Sequence, residues 1–135
     1  MNKSNTNYLL KKYPKIFIQH KLPMSKTAMC WGFQHGDGWL WLVDNLCEHI
    51  QNQIKWNKYP QVEINTIKEK FGTLSIYVDN GYDGLHDVLN FVQHLSSKIC
   101  EDCGTIKNVE CKEIKYGYIM TLCKECRKKY IEKGK

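Results

Sequence analysis

Arginine is nearly missing from this sequence. Nineteen of its twenty basic residues are lysine, and Arg127 is the single guanidinium. Planar, bidentate reading of bases or phosphates favours arginine, so dense base-edge recognition has little support. No apolar run is long enough to span a bilayer, and the first fifteen residues are rich in Asn and Lys. Neither a membrane span nor a secretory leader is expected from such a pattern. His20, His49, His86 and His94 fall in no H-E-x-x-H arrangement, and no Gly-rich phosphate loop is present. Internal repeats and low-complexity linkers are absent as well.

Cysteine, by contrast, is plentiful and patterned. Cys100 and Cys103 form one C-x-x-C pair, and Cys123 and Cys126 form a second after nineteen intervening residues. Two such pairs fit a four-thiolate zinc site, one structural Zn²⁺ with both knuckles on one ion. Four thiolates fill the coordination sphere and leave no position for water or substrate, which points to structure and not hydrolysis. Gly104 suits the turn after the first pair, Lys115 to Leu122 reads as a strand, and Cys123 to Tyr130 reads as a terminal helix. Knuckle, hairpin, knuckle and helix describe a zinc ribbon or treble-clef module. Lys124, Arg127 and Lys128 sit where they soften the charge of the thiolates. The odd total of seven cysteines and the paired spacing argue for a reducing compartment. Cys30, Cys47 and Cys111 are left over and read as small buried hydrophobes.

The formal charge of +6 is split along the chain. Residues 1–29 carry six Lys and no acid, residues 30–97 four Lys against eight acids, and residues 98–135 ten bases against six acids. Both ends are basic and the middle is acidic, so contact with nucleic acid through the ends is a reading to carry forward.

Periodicity supplies the rest of the fold. Residues 1–7 are polar and read as frayed, Tyr8 to Tyr13 as a short helical piece, and Ile16 to Ile18 as extended. Trp39, Val43, Leu46, Ile50 and Ile54 recur at helical spacing from Gly38 to about Trp56, with Leu42 and Cys47 widening the stripe and Trp56 anchoring its end. Asp37 is placed to cap that helix. Gln61 to Lys68 and Thr73 to Val78 alternate, with Val62, Ile64, Leu74, Ile76 and Val78 inward, and Lys70-Phe71-Gly72 turns between them. Leu85, Val88, Leu89, Val92 and Leu95 mark a second helix to Ser97. The expectation is an α+β fold with two main helices packed on a small antiparallel sheet, and a third strand recruited from elsewhere. Its parts are a basic segment at 1–22, a helix–hairpin–helix core at 23–99 and a zinc module at 100–135.

Several blocks in this order carry a resemblance. They are Pro23 to Phe33, Gly36-Asp37-Gly38-Trp39, Ile67-Lys68-Glu69-Lys70-Phe71-Gly72 with Leu74 to Tyr77, and the four paired cysteines. The stretch 23–126 resembles a family of small uncharacterised proteins encoded by bacteriophages and prophages. His35 departs from that pattern, where Cys is at least as frequent. The resemblance implies a phage origin and the cytoplasm of an infected bacterial host, and it transfers no biochemical activity.

Candidate binding residues outside the cysteines are Trp31, His35, Trp39, Lys68 and Lys70. Lys68 and Lys70 offer two ammonium groups to a phosphate or an acidic partner, or simply stay hydrated beside a turn. Cys30, His35 and Asp37 include a nucleophile, a base and an orienting acid by residue type alone. The leading expectation is a non-enzymatic zinc protein that binds a host or phage protein, with countering host defence as one version. A nucleic-acid-binding accessory protein is the second reading. A small-nucleotide-binding protein or enzyme using Cys30 to Trp39 is the third.

Overall fold

Helix α1 (Lys3–Lys12) begins where Asn2 accepts the Asn5 N–H at 2.8 Å, and it ends on Lys11 and Lys12, as the helix dipole favours. The computed structural model describes residues 1–133, so positions 134 and 135 of the expected 100–135 module lie outside the described residues. The expectation of a frayed start is corrected here. Leu9 is fully buried and Tyr13 nearly so. Three side chains of this region converge on Asp44: the Tyr8 hydroxyl at 2.8 Å, the Tyr13 hydroxyl at 2.5 Å and the Lys12 ammonium at 3.0 Å. Residues 3–7 of the helix are polar and leave no apolar stripe to read ahead of Tyr8.

Ile16 and Phe17 are fully buried but not extended; they lie in turns that lead into a 3-10 turn at Ile18–Lys21. Two further 3-10 turns, Met29–Trp31 and Asp37–Trp39, precede helix α2 (Leu40–Asn57). The expected stripe of α2 faces the core, with Trp39, Val43, Cys47 and Ile50 fully buried and Leu42 and Leu46 nearly so. Trp56 does not anchor the helix end and stays 68% exposed. Lys58 closes the helix in the left-handed conformation, returning its N–H to the Ile54 carbonyl.

Strands β1 (Glu63–Lys70) and β2 (Thr73–Asp79) pair antiparallel, as their alternation requires, and a bulge between Ile64 and Thr66 hands the inward position on to Ile67. Val62, Ile64, Ile67 and Leu74 are buried, while Ile76 and Val78 are half-buried. Among the described residues no third full strand joins this sheet. Gln34 makes a single parallel bridge to Lys68, with Gln34 N–H on the Ile67 carbonyl and Glu69 N–H on the Gln34 carbonyl. Helix α3 (Leu85–Ser96) lays Leu85 and Val92 onto the core, and Ser96 Oγ accepts the Leu74 N–H at 2.9 Å, tying helix to strand.

Strands β3 (Val109–Lys115) and β4 (Tyr118–Cys123) form a separate antiparallel hairpin, followed at once by helix α4 (Lys124–Lys133). The result is a mixed α+β fold with several helices and two small antiparallel sheets. No helix among the described residues is long and apolar enough to cross a membrane.

Candidate metal centre

The first C-x-x-C pair sits in a tight knuckle. Cys100 N–H donates to the Thr105 carbonyl and Gly104 N–H to the Cys100 carbonyl, both at 2.9 Å. Gly104 adopts φ +82°, which a side chain would oppose. The β3–β4 hairpin then brings the chain back, and Lys124 N–H closes onto the Asn108 carbonyl at 3.1 Å. Cys123 is the last residue of β4 and Cys126 lies in the first turn of α4.

The sulfurs of Cys100, Cys103, Cys123 and Cys126 all lie within 4.8 Å of one another. Cys103 and Cys123 Sγ are 3.8 Å apart. A tetrahedral ion with metal–sulfur bonds of ~2.3 Å needs sulfurs about 3.8 Å apart, so the set fits a zinc-sized ion. Cys100, Cys123 and Cys126 are buried, with Leu122 packed beside them, while Cys103 faces solvent. The Cys126 N–H donates to Cys123 Sγ at 3.4 Å and holds that thiol below its ordinary value. Such a bond favours the thiolate that a metal needs. Arg127 bonds backbone: its Nη2 donates to the carbonyls of Glu110 at 2.6 Å and Met120 at 3.3 Å, pinning α4 to both strands.

The knuckle is fastened to the segment Gly36-Asp37-Gly38-Trp39. Gly38 N–H donates to the Glu101 carbonyl at 2.7 Å, Gly36 N–H to Glu101 Oε2 at 2.9 Å, and Trp39 Nε1 to the Ile99 carbonyl at 2.8 Å. A Cβ on Gly36 would lie 2.3 Å from the Glu101 carbonyl oxygen, and one on Gly38 would lie 2.0 Å from that of Cys100. These two glycines exist so that the backbones can touch. Burial at this seam pushes the Glu101 carboxyl up to about 7. Sequence reasoning missed the seam, although paired glycines before a tryptophan are the signal for a close approach.

The structure separates the other candidates. Trp39 is fully buried and His35 is 5% exposed, so neither belongs to a binding surface, which corrects that expectation. Both fill the core because the loop folds inward under the knuckle, and His35 sits between the rings of Phe33 and Trp39, each 6.0 Å away. Trp31 remains 61% exposed. Cys30, His35 and Asp37 do not engage one another among the described residues. Cys30 Sγ donates to the Thr27 carbonyl at 3.3 Å, His35 Nδ1 pairs with the Gly36 carbonyl at 2.8 Å, and Asp37 Oδ1 accepts Asn2 N–H at 2.7 Å. Asp37 therefore tethers α1 and does not cap α2. Of the unpaired cysteines, Cys47 is buried as expected and Cys30 is half-buried, but Cys111 is exposed on β3. Lys68 is half-buried, while Lys70 is exposed at the β1–β2 turn. That turn rests on the second hairpin, where the Thr121 hydroxyl donates to the Gly72 carbonyl.

Comparisons with family models, with curated proteins and with solved structures return no match to this chain.

Proposed function

We propose that this chain is a non-enzymatic binding protein whose single zinc ion shapes a treble-clef-like module. The observation that carries the reading is the cluster of four cysteine sulfurs within 4.8 Å, drawn from a knuckle and a hairpin–helix junction. Four thiolates close the coordination sphere, so the ion has no site left for a substrate and contributes folding energy instead. The module then serves to hold the β3–β4 hairpin and, through Glu101, the Gly36–Trp39 segment. What it offers a partner is a surface. The resemblance to phage-encoded proteins supports a partner inside an infected bacterial cell, either a host or phage protein or a nucleic acid.

The zinc part of the reading is tested by elemental analysis of protein prepared without added metal. Wild type should carry about one zinc per chain, as four-cysteine sites do, and Cys103→Ser should lose most of it. Equal zinc in both proteins, or none in wild type, sinks the assignment. A specific observation favours the nucleic-acid partner over the protein one, and it concerns the tips of the two hairpins.

A further inference from the structure

Two turns in this molecule are built alike. One reads Glu69-Lys70-Phe71-Gly72 and the other Glu113-Ile114-Lys115-Tyr116-Gly117. Phe71 and Tyr116 both take φ +52°, and the glycines that follow take +83° and +79°. In each turn a glutamate accepts the glycine N–H, Glu69 from Gly72 at 3.0 Å and Glu113 from Gly117. In each a lysine ammonium lies over the ring, 6.0 Å for Lys70 on Phe71 and 5.1 Å for Lys115 on Tyr116. Both rings project into solvent, 72% and 93% exposed.

A turn chosen for shape alone carries Asn, Asp or Gly at the first left-handed position. A bulky aromatic there is an outlier, and such outliers concentrate at ligand contacts. The two glutamates accept backbone N–H groups, and the ion pairs among the described residues, Lys12–Asp44 and Lys112–Glu110, include none of Lys68, Lys70 and Lys115. Those three cations are left for an anion. The first tip also rests on the second hairpin. A Cβ on Gly72 would lie 2.8 Å from Cys111 Sγ and 3.0 Å from Ile119 Cγ2. Ile119 is three residues from Tyr116, a span of roughly 10 Å at the rise of a strand.

We propose that the two hairpin tips together form a platform for single-stranded nucleic acid. Phe71 and Tyr116 stack on bases, and Lys68, Lys70 and Lys115 meet the phosphates. Each ring is flanked along the chain by lysine and glycine, not by the apolar neighbours of a protein-docking patch. Stacking tolerates any base, and lysine acts on phosphate as a point charge, so recognition should be largely indifferent to sequence. The proposal rests on the structural-zinc reading, because the zinc module holds the hairpin that carries Tyr116.

The test titrates zinc-loaded full-length protein into fluorescein-labelled dT12, rU12 and a 12-base-pair duplex at two salt concentrations. Single strands should bind more tightly than the duplex, whose bases are already stacked. Affinity should fall with salt with a logarithmic slope of about −2 for three phosphate contacts. Phe71→Asn and Tyr116→Asn suit the turn conformation better than the aromatics, so both should fold and keep their zinc. Each should nevertheless bind dT12 roughly tenfold or more weakly, the scale of losing one stacked base. No binding at low salt overturns the platform, as does equal affinity for duplex, as do variants that bind like wild type. Zinc content measured on the same samples separates the two readings: intact zinc with no binding removes the platform alone, and absent zinc removes the reading beneath it.

Discussion

His35 is buried as a neutral imidazole, and its titration is the clearest residue-scale consequence of the fold. Desolvation by burial lowers it from an ordinary 6.5 to about 4. Between these values the unfolded chain holds a proton that the folded chain does not. Its stabilising contribution is therefore complete above pH 6.5, falls as pH drops from 6.5 to 4, and then levels off. The full loss is roughly 3 kcal/mol by linkage. Denaturant unfolding across that window should show the slope in zinc-loaded wild type and a clearly smaller slope in His35→Gln. Equal slopes in both proteins would place the acid sensitivity elsewhere, in the thiolates above all. Trp39 carries a different load, because it joins an apolar ring to a hydrogen bond on Ile99 O. Trp39→Ala should cost about 3–5 kcal/mol as a buried aromatic truncated to a cavity. Trp39→Phe should recover most of that and still lose about 1–3 kcal/mol, because the Ile99 carbonyl is left unpaired. Urea unfolding of the two variants beside wild type checks the order.

At the scale of elements, the seam between the Gly36–Trp39 turn and the first knuckle helps to set how the four-cysteine module sits. Gly38→Ala should be among the most damaging single-methyl additions in the chain, since the added carbon would meet the Cys100 carbonyl oxygen at 2.0 Å. Overpacking of this kind costs roughly 1–3 kcal/mol or more. Because the displaced atom belongs to Cys100 of the four-cysteine cluster, zinc bound there should also leave faster to a chromogenic chelator. Gly32→Ala is the control. It meets nothing within 4 Å and is opposed only by φ +75°, so zinc release should match wild type. The helices and the first hairpin were legible from their periods because each buries one face against a common core. Helix α1 was legible only from Tyr8 onward, because its first turn is polar and is held through Asp37 and the His35 carbonyl.

For the whole molecule, the four-cysteine module and the larger core meet at two places, the knuckle seam and the β1–β2 turn seated on the second hairpin. Chelation should therefore unfold the chain in order. Amide exchange should rise first in β3, β4 and α4, next in Gly36 to Trp39, and last in β1, β2 and α3, where Ser96 and Leu74 are tied inside the main core. Simultaneous loss of protection everywhere would mean that the metal supports one cooperative unit.

The sequence by itself determined the four clustered cysteines, the two amphipathic helices, the first hairpin and its turn. Each of these is written in spacings of two to four residues, or in paired cysteines, and depends on atoms close along the chain. Only the tertiary structure decided that His35 and Trp39 are core and Trp56 and Cys111 are surface. It alone turned Asp37 toward α1 and set the Phe71–Gly72 turn against Cys111 and Ile119 of the second hairpin. Those outcomes depend on where one backbone meets another. That Gly38 lies under the Cys100 carbonyl, or Gly72 against Ile119, follows from how segments 47 to 62 residues apart pack, and no local period records it.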